Sequence, residues 1–206
     1  MGTVLYLPHQ NTSPVELFNK WLPENRSALE LLCRKYVPDM PLHVAFIFLG
    51  ENGGNRTLTW DTDKICVSNE FLVEALITLT LDEEMLPELL RTLKDIAGSD
   101  ELKLSLNNKG KHSASKTDAV LERIEETPGT FRIEITDPCR PLVFAVKLGG
   151  LIEFDPEVTV KVDRKGISEL VAGRTSAGEL VRTGMIEFSG DAGLFFQAAL
   201  IFLADD

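Results

Sequence analysis

Two stretches of this chain carry one pattern at a fixed distance. ITLTLDEEMLPELL (77–90) lies over VTVKVDRKGISELV (158–171) at a constant offset of 81. Ile77, Leu79 and Leu81 fall on Val158, Val160 and Val162, and Asp82 falls on Asp163. Leu86, Leu89 and Leu90 then fall on Ile167, Leu170 and Val171. Each stretch is an alternating strand, a capping aspartate and a helix with one apolar stripe. Upstream, HVAFIFL lies over FRIEITD at an offset of about 88, and downstream LKLSL lies over IEFSG at 84. Shifts in offset place insertions in loops, where they are tolerated. Binary patterning alone makes any two strand–cap–helix units alike. Here, however, a whole order of strand, strand, strand, helix, strand recurs, and duplication accounts for that better.

The fold class expected is α+β, with two tandem units, each a mostly antiparallel sheet carrying helices on one face. The first unit spans residues 1–106 and opens with helices. Ser13-Pro14-Val15-Glu16 and Ser27-Ala28-Leu29-Glu30 are capping boxes, and Pro23 is expected to end the first helix. Strands follow at 42–49, around TLTW, at 63–67 and at 76–81, then a helix over 83–97 and a strand at 101–106. Residues 107–116, NNKGKHSASK, hold a single apolar residue and read as the linker. The second unit, 117–206, has a helix at 117–126, then strands GTFRIEIT, PLVFAVKL and EVTVKV. A helix at about 165–172, a capped helix from Ser176 to Gly184, the strand MIEFS and a terminal helix complete it.

Charge and motifs remove several classes of function. The net charge of −11 opposes binding by phosphate neutralisation and docking on an anionic bilayer, and no apolar run reaches about 18 residues, so no nucleic acid partner and no stable membrane insertion are expected. Cys33, Cys66 and Cys139 form no CxxC pair, so neither a disulfide framework nor a zinc site is indicated. The N-terminus lacks a basic start and a long apolar run, so a reducing, cytoplasmic setting is expected. No HExxH, GxSxG or phosphate-loop motif occurs. His43 reads as a structural histidine, Cys139 as a structural cysteine, and Glu83, Glu84 and Glu122–Glu126 as a solvated face. Lys109, Lys111, His112 and Lys116 read as part of the linker. No catalytic residue, cofactor or metal is expected.

The second unit is similar to a known family. DPEVTVKVDRKGISELVAGRTSAGELVRTGMIEFSGD resembles the ending of sterol carrier protein type-2 domains. The matching residues are Gly173, Thr175, Ser176, Leu180, Gly184, Ile186, Phe188, Ser189, Gly190 and Asp191. GTFRIEITDPCRPLVFAVKLGG also resembles the sterol-carrier-like C-terminal domain of the enhanced-intracellular-survival acetyltransferases. The resemblance is clear over 117–203 and weak over 42–106. It implies an apolar tunnel that holds a lipid or acyl chain between sheet and helices. The first unit lacks the G.TSAGEL segment and reads as a degenerate copy. No acetyltransferase domain precedes the resemblance, so acetyl transfer is not implied.

The terminal helix fits such a tunnel. In LFFQAALIFL (194–203) only Gln197 is polar, and a helix apolar on every side must be buried, face a cavity or meet a partner. The expected function is binding or carrying of a lipid, fatty acyl or other long apolar ligand in the second unit. Ile133, Val143, Phe188, Phe195 and Ile201 are the expected wall. The alternative is an assembly module with the terminal helix as a subunit interface, for which a homodimer is the signature.

Overall fold

A computed structural model describes residues 3–36, 41–61, 64–70, 72, 74–97, 101–104, 114–137, 140–149, 155–171 and 174–203. The strands are β1 (Thr3–Tyr6), β2 (Leu42–Leu49), β3 (Gly54–Asp61), β4 (Lys64–Ser68), β5 (Ile77–Asp82), β6 (Glu101–Leu104), β7 (Gly129–Thr136), β8 (Leu142–Leu148), β9 (Val158–Asp163) and β10 (Ile186–Gly190). The helices are α1 (Pro14–Glu16), α2 (Leu22–Tyr36), α3 (Leu86–Ala97), α4 (Ala114–Glu126), α5 (Arg164–Val171), α6 (Ala177–Arg182) and α7 (Ala192–Leu203).

Eight strands form one sheet in the order β10-β9-β7-β8-β5-β2-β3-β4. Two of its pairs, β2–β5 and β7–β9, are parallel, and the rest are antiparallel. The mixed α+β class agrees with the sequence reading. The two parallel pairs share a register: Val44 stands opposite Ile77 as Phe131 stands opposite Val158, and Phe48 opposite Leu81 as Ile135 opposite Val162. The first strands are thus related by an offset of 87, from Val44 to Phe131, one less than the pattern alone suggests. One residue matters, because a slip of one turns every side chain to the other face.

The halves do not keep separate sheets. β5 pairs with β8 across the seam, Ile77 with Leu148 and Leu79 with Val146. The place beside β5 that β10 takes beside β9 is therefore filled by β8. β6, which the sequence pattern sets over β10, pairs instead with β1 in a two-stranded ribbon, Leu5 opposite Leu102.

One face of the long sheet is apolar and carries the helices. Phe46, Phe48, Leu58, Ile65, Leu79 and Leu81 pack with Phe18, Leu22, Leu86 and Leu90 at one end. Phe131, Ile135, Leu142, Val158 and Val162 pack with Ile124, Leu180, Leu194, Phe195 and Ile201 at the other. Phe144, Met85 and Leu89 touch both clusters. The opposite face holds Thr57, Thr59, Thr78, Thr80, Lys147, Arg132, Glu134 and Lys161.

Several local expectations change. Pro23 does not end a helix. A π-helical turn, Leu17–Trp21, joins α1 to α2 without a break, and Pro23 follows it as the second residue of α2. Ser27 lies inside α2 rather than capping it, and Glu30 pairs with Arg26 at 2.7 Å instead. Ser13 does form its full capping box with Glu16. Ser176 caps α6 through Glu179 N, while the Glu179 side chain pairs with Arg182 rather than closing a box. Helix α4 starts at Ala114, inside the stretch expected as linker, and residues 107–113 lie outside the described residues, as do Cys139 and Gly173. His43 is half-buried with Nδ1 3.0 Å from Thr59 Oγ1, in keeping with a structural role.

Candidate functional site

The register sets a row of apolar side chains across four strands. Phe188 stands opposite Val160, Val160 opposite Ile133, and Ile133 opposite Phe144. All four are partly buried against the C-terminal core. Helix α7 packs on the β9–β10 end of this row. Its start is held by Asp191, whose Oδ1 accepts Leu194 N at 3.0 Å. Before it, Gly190 turns the chain at φ 101°, where a Cβ would come 2.0 Å from the Glu157 carbonyl oxygen.

Three phenylalanines tie the helix to the sheet edge. Phe188 and Phe195 stack at 4.2 Å between centroids, and Phe196 meets them edge-on at 5.7 and 5.2 Å. Leu194, Phe195, Ala198 and Ile201 face inward and are buried. Phe196 and Leu200 face outward, 50% and 64% exposed. The all-apolar helix is therefore buried on one side only; the side chain of Phe202 lies outside the described residues.

Between α4 and α7 runs an open groove of about 420 Å³. Leu200 and Ile201 form its apolar wall, and Arg123, Glu126, Thr127 and Gln197 its polar sides. Helical spacing puts Arg123 and Glu126 on one side of α4, with Thr127 directly after its end, while Ile124 is driven into the core. A concave site of this kind holds an apolar body along its wall and orients a polar end at its margin. A second hollow, of about 270 Å³, lies near the N-terminus among His9, Asn11, Thr12, Glu16, Lys20, Trp21 and Glu24.

The five expected wall residues separate. Ile201 lines the groove. Ile133, Phe188 and Phe195 lie on the same face but fill the space behind it as packed core. Val143 does not belong with them. It stands opposite Glu134, on the other face of the sheet, because side chains alternate and Ile133 pairs with Phe144. That face is polar: Glu134 lies 2.7 Å from Arg132 and 3.6 Å from Lys161, and the hydrogen bond from Arg132 holds its carboxyl below the usual carboxylate range. Sequence reasoning missed Arg123, Glu126, Thr127 and Leu200. Gln197, the one polar residue of an apolar helix, was the available signal.

Residues 106–202 match the family model described as the SCP-2 sterol transfer family. This part of the chain belongs to that family. The SCP-2 region takes in the row across β7–β10, helices α4 to α7 and the groove. No curated protein sequence matches the chain. Among solved structures, sterol carrier protein 2 like 2 of Aedes aegypti is 22% identical, covering 41% of this chain and 94% of that one, with a TM-score of 0.31. Its palmitated form, studied in solution, is 22% identical over 41% of this chain and 92% of that one, at 0.32. Sterol carrier protein 2 of Yarrowia lipolytica, in its apo form, is 18% identical over 43% and 74%, at 0.31. Among the described residues no helix is long and apolar enough to cross a membrane.

Proposed function

We propose that the SCP-2 region binds a lipid, a fatty acyl group or another long apolar ligand and carries it unchanged. Membership of residues 106–202 in a family described by sterol transfer is the observation that carries this reading. The reading places the ligand in the groove between α4 and α7. Its apolar body lies along Leu200 and Ile201, and its polar end lies among Arg123, Gln197 and Thr127. Burial of apolar area, at about 25 cal/mol per Å², drives the binding. Ile133, Phe188 and Phe195 serve as the packed backing of that wall. A binding role rather than catalysis is supported by the lining, which brings no imidazole or thiol to the Thr127 hydroxyl.

Mass spectrometry of the purified chain, native and then after organic extraction, tests this. The expected result is a lipid or acyl species at near one per chain. After extraction, a fluorescent fatty acid or sterol rebinds, and Leu200→Lys or Ile201→Asp reduces uptake. Leu200 is exposed, so that variant keeps the fold if Ile201→Asp does not. An empty protein that takes up neither probe overturns the reading.

A further inference from the structure

We propose that the outer side of α7, together with the carboxylates around it, receives a cationic amphipathic segment of another protein. Phe196 and Leu200 are one helical turn apart, so they stand side by side, and both are at least half exposed. Exposed large apolar side chains grouped and rimmed by polar groups mark interaction surfaces. Helix α7 itself has no charged residue from Ala192 to Leu203. The charge comes from its surroundings. Glu126 lines the groove beside Leu200, and Glu122 lies one turn earlier on the same side of α4. At the other end, Asp191 caps the helix and sets one more carboxylate there, while the Glu157 carboxylate turns to the Thr130 N–H at 3.0 Å. Arg123 stands as a cation within this rim.

That charge selects the occupant. An apolar stripe edged by carboxylates complements a helix with leucine-like anchors on one face and Lys or Arg along its flanks. A second copy of this chain would set carboxylate rims of the same sign against each other. An anionic bilayer would meet a chain of net charge −11. The surface goes beyond the lipid reading: Phe196 is part of it and does not line the groove.

The test is fluorescence anisotropy with the full chain and a labelled helix-forming peptide of Leu and Lys, about 14 residues or four turns long. A second peptide carries Glu at every Lys. The Leu–Lys peptide is expected to bind at least roughly tenfold more tightly than the Leu–Glu one, and to weaken as salt is raised. Leu200→Ser weakens it roughly fivefold or more, and so does Phe196→Ser. Glu122→Gln with Glu126→Gln weakens it and flattens its salt dependence, whereas Glu70→Gln with Glu74→Gln, exposed on the other half of the chain, leaves it unchanged. Leu200→Ser removes no ring from the phenylalanine cluster, so it stands as the second variant if Phe196→Ser loosens the fold. Equal binding of the two peptides overturns the proposal. Equal losses from both glutamine pairs, self-association abolished by Phe196→Ser, or retention on anionic vesicles alone do the same.

Discussion

The Arg164 guanidinium lies 2.8 Å from the Asp95 carboxylate and so fastens α5, in one half of the sheet, to α3 in the other. The same group lies 3.2 Å from Glu88. Its Nε is 2.9 Å from Asp137, an ionic contact that the N–H direction misses. Arg91 joins from α3, paired with Glu88 at 2.5 Å and 3.7 Å from Asp137. Glu88, Asp137 and Arg164 side chains are largely shielded, so this network is worth more than exposed surface pairs.

Removing the shared cation should therefore cost stability at the seam. Arg164→Met is expected to lower unfolding free energy by about 1.5–3 kcal/mol, the range for hydrogen bonds to charged groups. Urea titration checks it through the midpoint. An unchanged midpoint would make the network a surface ornament, as many crystallographic ion pairs are.

Two glycines separate crowding from backbone strain. Gly190 has φ 101° and its added Cβ would meet the Glu157 carbonyl oxygen at 2.0 Å. Gly184 has φ 73° with nothing within 4 Å of an added Cβ. Gly184→Ala should cost about 1–2 kcal/mol, the price of the left-handed conformation. Gly190→Ala should cost clearly more, because backbone must move as well. Denaturation midpoints of the two variants, compared directly, decide the order.

Adjacent phenylalanines should differ sharply. Phe195 is buried and stacked on Phe188, so Phe195→Ala is expected to cost about 3–5 kcal/mol. Phe196 is half exposed, so Phe196→Ala should cost about 1 kcal/mol. Similar losses at both positions would show that α7 is covered on its outer side in solution.

Acid should erase one contribution on the polar face. Arg132 holds the Glu134 carboxyl below its ordinary range, so the ionised form is favoured in the folded chain. A lowered folded pKa contributes stability above the unfolded value, about 4.3, and loses it as pH falls through the folded one. Glu134→Gln should therefore be less stable than the parent at pH near 7, by about 1 kcal/mol or less. The difference should shrink below about pH 4. Chemical denaturation at both pH values measures it, and a constant gap would rule the carboxylate charge out.

Much of this followed from local pattern. Apolar patterning located β2, β5, β7, β8, β9 and β10 to within a residue or two, β2 as a nearly continuous apolar run. Ser13, Asp82 and Ser176 cap helical turns as their positions implied, whereas Ser27 does not. The site was less readable. Val143 and Ile133 look equivalent as apolar strand residues, and only the pairing of Ile133 with Phe144 puts them on opposite faces. Arg123 and Glu126 carry no motif, and they matter because α4 happens to lie beside α7.

By itself the sequence determined most strands and helices, several of their caps and the family of residues 106–202. These rest on interactions within a few residues, which pattern encodes directly. Tertiary structure alone decided which strand lies beside β5. β6 and β8 both have β-strand patterning, yet β8 takes the place and β6 pairs with β1, Thr3 opposite Leu104. Strand order is a competition between long-range pairings, settled by which arrangement buries the common apolar face. No local pattern records the outcome of that competition.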